Sequence, residues 1–358
     1  MTVEGEIRAG DHMRAEIAEQ PARWLDLINQ GQDPLEQAAE LIRTVNPELL
    51  VFAARGSSDH AAMYGQYLAH NVLGIPALLS TPSTVTAFGT ELRYPTSVML
   101  AVSQSGESPD LLDTVRSAKR AGVPVVAITN NEASTLAGLG DVHIDLMAGP
   151  ELSVAATKTY TAELLALYMV LTLAAGGSWE DAKARAEAAA QAASRVLAAS
   201  GASGERLADI LKDADRVLVV GRGYSMSTAK EGALKLMETN SIAASGWSAA
   251  DATHGPLGQV VPGTPVITLT ASPAGRESVQ AFAEASRALG GRNISIGPAE
   301  GTASECLELS GPEGSGLDPA LIPLVEIIPL QQLALRLALR RGADPDRPAG
   351  LKKITKTV

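Results

Sequence analysis

The sequence predicts an α/β protein built as two doubly wound parallel-sheet domains related by an internal duplication. Three observations carry that prediction. Apolar runs alternate with helical patterns along the chain, which is the signature of parallel strands covered by helices. The stretch ELLVFAARGSSDHAAMYGQYLAHNVLG (48–74) reads as strand, turn and helix, and DRVLVVGRGYSMSTAKEGALKLMETN (215–240) repeats it, with the Arg-Gly pair 167 residues further on. Finally, 46% of the residues are hydrophobic while only 3% are aromatic, so small aliphatic side chains must fill the core, as they do where helices lie close on a parallel sheet.

The elements follow in order. HMRAEIAEQPARWLDLINQ (12–30) reads as an amphipathic lead-in helix interrupted by Pro21. The duplication then continues past the first strand: SVMLAVS (97–103) falls opposite TPVITLT (264–270), and VPVVAIT (123–129) opposite RNISIG (292–297). GPE at 149–151 recurs at 311–313. An Ala-rich polar helical stretch around 178–204 marks the boundary between the copies. The predicted organisation is a helical lead-in over 1–33, a first domain over 34–180, a second over 205–340 and a tail over 341–358.

At 358 residues the chain is long enough for two such domains. Its 40 acidic and 29 basic residues give a formal charge of -11, and no basic stripe alternates with aromatics, so nucleic acid is not an expected partner. An anionic substrate would need a local positive field from helix N-termini and a few placed lysines. The single cysteine, Cys306, excludes an intramolecular disulfide and a Cys-rich metal site. His12, His60, His70 and His143 lack metal-ligand spacing, so neither a metal nor any other cofactor is expected. The first twenty residues are charged throughout, unlike a signal peptide, and the longest apolar run, LLALYMVLTLAA (164–175), is too short to span a bilayer. The expectation is a cytoplasmic protein with no membrane partner.

Chemistry concentrates in a few places. SQSGES (103–108) leaves an apolar strand with three hydroxyls, one glycine and no large apolar side chain. In a parallel sheet ligands sit beyond the carboxyl ends of the strands, and a segment entering a helix there offers free N–H groups to an anion. Ser103, Ser105 and Ser108 therefore suit a phosphate monoester, with Ser57 and Ser58 of the equivalent first turn as further donors. Turn and N-cap preference explains some of the same serines. No G-x-x-x-x-G-K-[ST] is present. In the second copy, Glu231, Lys235 and Glu238 are spaced i, i+4, i+7 on one helix face. They read either as a solvated ion-pair stripe or as an acid-base pair in a partly apolar cleft. His254 lies on the Gly-Pro turn THGPLG, and the chain ends in GLKKITKTV with Lys352, Lys353 and Lys356; by themselves these read as a structural histidine and a basic tail.

Taken in order, RGSSDHA, VSQSGESPD, VAATKTY, GRGYSMSTAKEGALKLMETN, THGPLG and LKKITKTV resemble the tandem sugar-isomerase (SIS) domain family over nearly the whole chain. The similarity is greatest to members built like the isomerase half of glutamine-fructose-6-phosphate aminotransferase and to glucosamine-6-phosphate deaminases. That resemblance implies that Ser57, Ser103, Gln104, Ser105 and Ser108 hold a sugar phosphate, with Ser58, Val154, Ala156 and Glu231 completing the substrate-binding set. It implies that Glu238 moves a proton between C1 and C2, that Lys235 assists at the reacting oxygen, and that His254, supplied by the partner of a homodimer, helps open the ring. Lys353 matches the tail lysine that forms a Schiff base with the keto sugar. Arg55 stands where aminotransferases have a small thiol residue, Ala156 replaces a serine, and Asp251 lies where a glutamate is usual, so sugar contacts are expected to differ. Met1-Thr2 offers no N-terminal cysteine nucleophile, which points to a glutamine-independent enzyme.

The resulting expectation is an isomerising deaminase of an amino-sugar 6-phosphate, glucosamine 6-phosphate to fructose 6-phosphate plus ammonia. Galactosamine 6-phosphate, a fructosamine 6-phosphate adduct and plain aldose-ketose isomerisation remain open as alternatives. A non-catalytic sugar-phosphate sensor is a further one, disfavoured because Glu238, Lys235, His254 and Lys353 occur together. A dinucleotide oxidoreductase is disfavoured because Met226 fills the third glycine position of GRGYSM.

Overall fold

The computed structural model describes residues 8–199, 201–298, 305–307 and 317–353. The recurrence of GPE at 311–313 and Lys356 lie outside the described residues. In the first half, α1 (Asp11–Gln30) and α2 (Gln32–Val45) lead into β1 (Leu49–Ala53), α3 (Ser57–Leu68), β2 (Ala77–Leu79), α4 (Ser83–Thr86), β3 (Ser97–Ser103), α5 (Pro109–Arg120), β4 (Val125–Thr129), α6 (Thr135–Leu139), β5 (Val142–Asp145) and α7 (Lys158–Ala174). Helices α8 (Trp179–Ala199) and α9 (Gly201–Leu211) connect to β6 (Arg216–Gly221), α10 (Ser225–Asn240), β7 (Ala243–Ser248), α11 (Ala249–Ala252), β8 (Pro265–Leu269), α12 (Arg276–Ala288), β9 (Arg292–Ile296), β10 (Glu305–Leu307) and α13 (Ile322–Arg340).

The duplication is visible in the hydrogen bonding. One sheet has the order β2-β1-β3-β4-β5, and the other, read in the same sense, β7-β6-β8-β9-β10. All pairs are parallel, and the register repeats: Val51 faces Met99, and 167 residues later Leu218 faces Val266. In each sheet the first strand lies between the second and third, so chain direction switches beside β1 and beside β6. Loops at such a switch diverge and leave a crevice.

The two sheets are not independent. A continuous hydrophobic core takes Phe52 and Ile128 from the first, Val219 and Ile267 from the second, most of α7 and about half of α13. Both helices are predominantly apolar and are buried along most of their length, as suits a central position. Residues 319–340 are apolar enough by length and composition to cross a bilayer, but 94% of an apolar 18-residue window within them is buried inside the protein.

Pro21 does not interrupt α1, contrary to the sequence expectation. The helix runs unbroken because Gln20 takes over what the proline gives up. Proline at 21 leaves the Ile17 carbonyl without its helical N–H, and Gln20 Nε2 donates to that carbonyl at 2.9 Å. The same amide reaches Gln331 Oε1 on α13 and accepts from Thr161 Oγ1 on α7, so the repair also pins α1 to both central helices.

Helix α13 also carries a fully buried acid, Glu326. Burial pushes its carboxyl up to about 7, against the pull of the Ser225 and Thr228 hydroxyls at the start of α10. Between pH ~4.5 and ~7 the folded chain keeps a proton that the unfolded chain releases, so this group lowers stability as pH rises, by about 1.4 kcal/mol per pH unit. Glu326→Gln removes the effect. Its advantage over the parent is expected to grow from near zero at pH 4.5 to on the order of 3 kcal/mol above pH 7, measured by denaturant unfolding at several pH values.

Candidate active site

The crevice beside β1 is formed by the turns that leave β1 and β3. Gly56 follows β1 with φ 58°, a left-handed conformation that glycine adopts without strain. It turns the chain so that Ser57 starts α3. Leaving β3, Ser103 Oγ accepts the Gly106 N–H at 3.1 Å, and Ser105 Oγ accepts the Glu107 N–H at 3.3 Å. Gly106 has φ 66°, and a Cβ there would strike Ser134. Both serines are thus turn residues, yet each keeps its own O–H for an incoming acceptor. Ser108 sits at the N-cap of α5 without making a side-chain capping bond, so capping does not account for it.

Charge around the turn is arranged to leave it receptive to an anion. Glu107 lies within the turn, but its carboxylate accepts the Thr135 N–H and hydroxyl at 2.7 and 2.9 Å, away from the serines. Asp110, in the first turn of α5, is matched by Arg55 Nε at 2.7 Å. The start of α5 adds the positive end of its dipole, although Pro109 has no N–H and the Leu111 N–H is taken by Asp110 Oδ1 at 2.8 Å.

A cleft of about 340 Å³ opens here, lined by Arg55, Gly56, Ser57, Ser58, Ser103, Gln104, Ser105, Ser108, Val154, Ala156 and Glu238, with Leu351, Lys352 and Lys353 from the tail. Residues predicted from three distant parts of the sequence therefore share one cavity. Glu238 comes from α10 of the second half, its side chain 21% exposed and its Oε2 2.6 Å from Lys235 Nζ. The spacing read from the sequence holds: Glu231, Lys235 and Glu238 form one ladder.

Only the last rung reaches the cleft. Glu231 and Lys235 are fully buried, with Lys235 Nζ 3.1 Å from Glu231 Oε1 and 3.1 Å from Ser57 Oγ. Glu231 also accepts from Ser57 Oγ at 2.9 Å and pairs through Oε2 with His60 Nδ1 at 2.8 Å. Burial raises the Glu231 carboxyl, but the Lys235 charge and the His60 and Ser57 hydrogen bonds outweigh it and hold it below the ordinary carboxylate value. Burial likewise lowers Lys235, and the two carboxylates more than reverse this, so the ammonium is held well above the usual lysine range. Glu231 was expected against the sugar; it is instead the buried support of Ser57 and Lys235. Lys235 itself reaches the cleft only through Glu238 and Ser57.

Ser58 lines the cleft as expected, and its hydroxyl donates to the buried Glu163 Oε1 at 2.7 Å, as that of Ser57 does to Glu231. Burial pushes Glu163 far above the carboxylate range, with the Ser58 bond working the other way. His254 lies on an exposed turn and does not line the cleft of its own chain. On the tail, Lys353 Nζ donates to Glu151 Oε2 at 2.9 Å and to the Ser153 carbonyl at 2.7 Å. Glu151, Glu163 and His60 were not singled out from the sequence. Their partners lie 202, 105 and 171 residues away, so no local pattern marks them.

The SIS domain model matches twice, over residues 45–173 and 210–339, the two halves that carry the two sheets. The chain belongs to the SIS domain family. This SIS protein is 34% identical over 349 residues to the glutamine-fructose-6-phosphate aminotransferase (isomerizing) of Thermococcus kodakarensis, covering 95% of the chain and 57% of that relative. The chain thus spans little more than half the length of the curated relatives it matches. Among solved structures, a candidate phosphosugar isomerase of Silicibacter pomeroyi DSS-3 superposes with a TM-score of 0.81 at 32% identity, over 93% of this chain and 99% of that one. The C-terminal domain of the Francisella tularensis glucosamine-fructose-6-phosphate aminotransferase gives a TM-score of 0.84 at 23% identity, over 97% and 100%, and shows the shared fold.

Proposed function

We propose that this SIS protein is an isomerising deaminase of an amino-sugar 6-phosphate, converting glucosamine 6-phosphate to fructose 6-phosphate and ammonia. The observation that carries the reading is the meeting of the Ser103–Ser108 turn, the Glu238 carboxylate and the Lys353 tail in one cleft. The phosphate monoester sits on the three hydroxyls and the α5 N-terminus. The open-chain sugar then lies with C1 and C2 at Glu238, whose carboxylate takes the proton from C2 and returns it to C1. Such a proton is acidified by the neighbouring carbonyl or imine, and the buried Lys235 ammonium supplies a fixed positive charge beside the carboxylate that shuttles it. Nitrogen leaves by imine hydrolysis or by exchange onto Lys353. His254 belongs to the reading as a ring-opening group given to the neighbouring cleft of a homodimer.

Ammonia and fructose 6-phosphate released from glucosamine 6-phosphate are the direct assay, and absence of both would sink the proposal. Ser105→Ala and Ser108→Ala are each expected to raise KM about tenfold or more with little change in kcat, since each removes a hydrogen bond to a dianion. Steady-state kinetics on the phosphorylated substrate checks this.

One observation favours a wider substrate. Arg55 lines the cleft with a side chain 43% exposed and commits only its Nε to Asp110, so a guanidinium face borders the sugar site. A carboxylate-bearing adduct such as an amino-acid-derived fructosamine 6-phosphate would find a partner there. Turnover of that adduct beside glucosamine and galactosamine 6-phosphates separates the readings.

A further inference from the structure

Exchange of nitrogen onto Lys353 requires a free amine, and in this structure the Lys353 amine is held by two hydrogen bonds. It donates to Glu151 Oε2 at 2.9 Å and to the Ser153 carbonyl at 2.7 Å. A surface ion pair would deserve little weight, but Glu151 is not at the surface. Its side chain is wholly buried. Oε1 accepts the N–H groups of Thr157 and Thr159 at 2.9 and 3.2 Å, and Oε2 accepts the Thr159 hydroxyl at 2.6 Å. Three bonds to the start of α7 thus fix the carboxylate, and the lysine comes to it.

The surroundings are fixed as well. Glu16 of α1 accepts the N–H groups of Leu152 and Ser153, just before the carbonyl that Lys353 also uses. Asp346 accepts the His12 and Met13 N–H groups at the start of α1, and its carbonyl accepts the Val154 N–H at 3.2 Å. The tail is therefore strapped to α1 and to the stretch before α7, and its last described residues form part of the cleft wall. Burial raises the Glu151 carboxyl, and the Lys353 charge with the threonine bonds more than offsets this.

We propose that Glu151 is the positioning residue of the tail lysine, holding its amine at the cleft wall and taking its proton when a keto sugar arrives. The inference rests on the proposed function. In the step, a proton passes from the Lys353 ammonium to the Glu151 carboxylate, and the freed amine forms a C–N bond at C2 of the sugar. The former carbonyl oxygen then takes that proton from Glu151 and a second from the attacking nitrogen and leaves as water, giving the protonated Schiff base and restoring the carboxylate. Without Glu151 the amine keeps only the Ser153 carbonyl and loses the nearby base.

The experiment is borohydride trapping with fructose 6-phosphate on the full chain, read as mass added to the tail peptide that contains Lys353. The parent protein is expected to be trapped at neutral pH. Glu151→Gln is expected to be trapped at least tenfold more slowly at pH 7 and to recover as pH is raised toward about 10, where solvent deprotonates an ordinary lysine. A purely structural role would lower trapping at every pH alike. Equal trapping of the parent and Glu151→Gln, with the same pH dependence, overturns the inference. Should Glu151→Gln not fold, Glu151→Asp replaces it, and parental trapping in that shortened variant overturns the inference equally. No adduct in the parent with any keto-sugar phosphate would instead sink the lysine-based reading on which the inference stands.

Discussion

Glu238→Gln is expected to lower kcat for the proposed deamination by about 10²- to 10⁴-fold, the range that a positioned general acid-base group supplies. The substitution keeps the shape of the side chain and removes only its ability to carry a proton. Glu238 is the one member of the α10 ladder that lines the cleft, so no neighbour stands ready to replace it: Glu231 is enclosed by His60, Ser57 and Lys235. KM should change far less than kcat, because the phosphate cradle on the Ser103–Ser108 turn belongs to the other half of the chain. Full ammonia release by this variant would exclude Glu238 as the base. A uniform loss of substrate binding would show that it only shapes the cleft.

Lys235→Met is expected to reduce stability by about 3–5 kcal/mol, the usual result of stripping one partner from a fully buried ion pair. Lys235 and Glu231 have no exposed side-chain surface, and the ammonium sits between two carboxylates. Removing it leaves Glu231 with His60 and Ser57 alone. Because the folded Glu231 carboxyl is held below its ordinary value, its contribution is present above the carboxylate range and is lost as pH falls through the folded value. Because Lys235 is held above its ordinary value, its contribution is complete below the lysine range and is lost as pH rises through the folded value. The pair therefore stabilises most across neutral pH, and the cost of Lys235→Met should be largest there. Adding Glu231→Gln should restore part of the loss, since the uncompensated charge is then gone. Denaturant unfolding of the single and double variants measures both effects, and a loss below about 1 kcal/mol would mean that water or relaxation replaces the lysine.

Much of this was legible in the sequence because it is written in short-range pattern. The duplication shows in paired apolar runs, and the structure reproduces it down to the register of Val51 with Met99 and Leu218 with Val266. The cradle shows because three serines follow a buried strand, and the α10 ladder because residues three and four apart share a helix face. What escaped is set by long-range packing. Ser57 and Ser58 are adjacent and both line the cleft, yet each donates its hydroxyl to a buried acid, Ser57 to Glu231 and Ser58 to Glu163, and no local signal shows those partners. Glu231 carries the same spacing signal as Glu238, while its depth in the core decides that it supports and does not touch a ligand. Glu151 lies 202 residues from Lys353 in a stretch without period, so its pairing appears only once the tail has folded back over α1. Pro21 reads as a helix breaker until Gln20 is seen to cover the Ile17 carbonyl.

A crystal soaked with fructose 6-phosphate tests the joint site directly. The account predicts the phosphate within hydrogen-bond reach of Ser103, Ser105 and Ser108, with C1 and C2 of the same molecule against the Glu238 carboxylate. A sugar phosphate bound on that turn with its C1–C2 end pointing away from Glu238, or bound only at another surface of the protein, would contradict it.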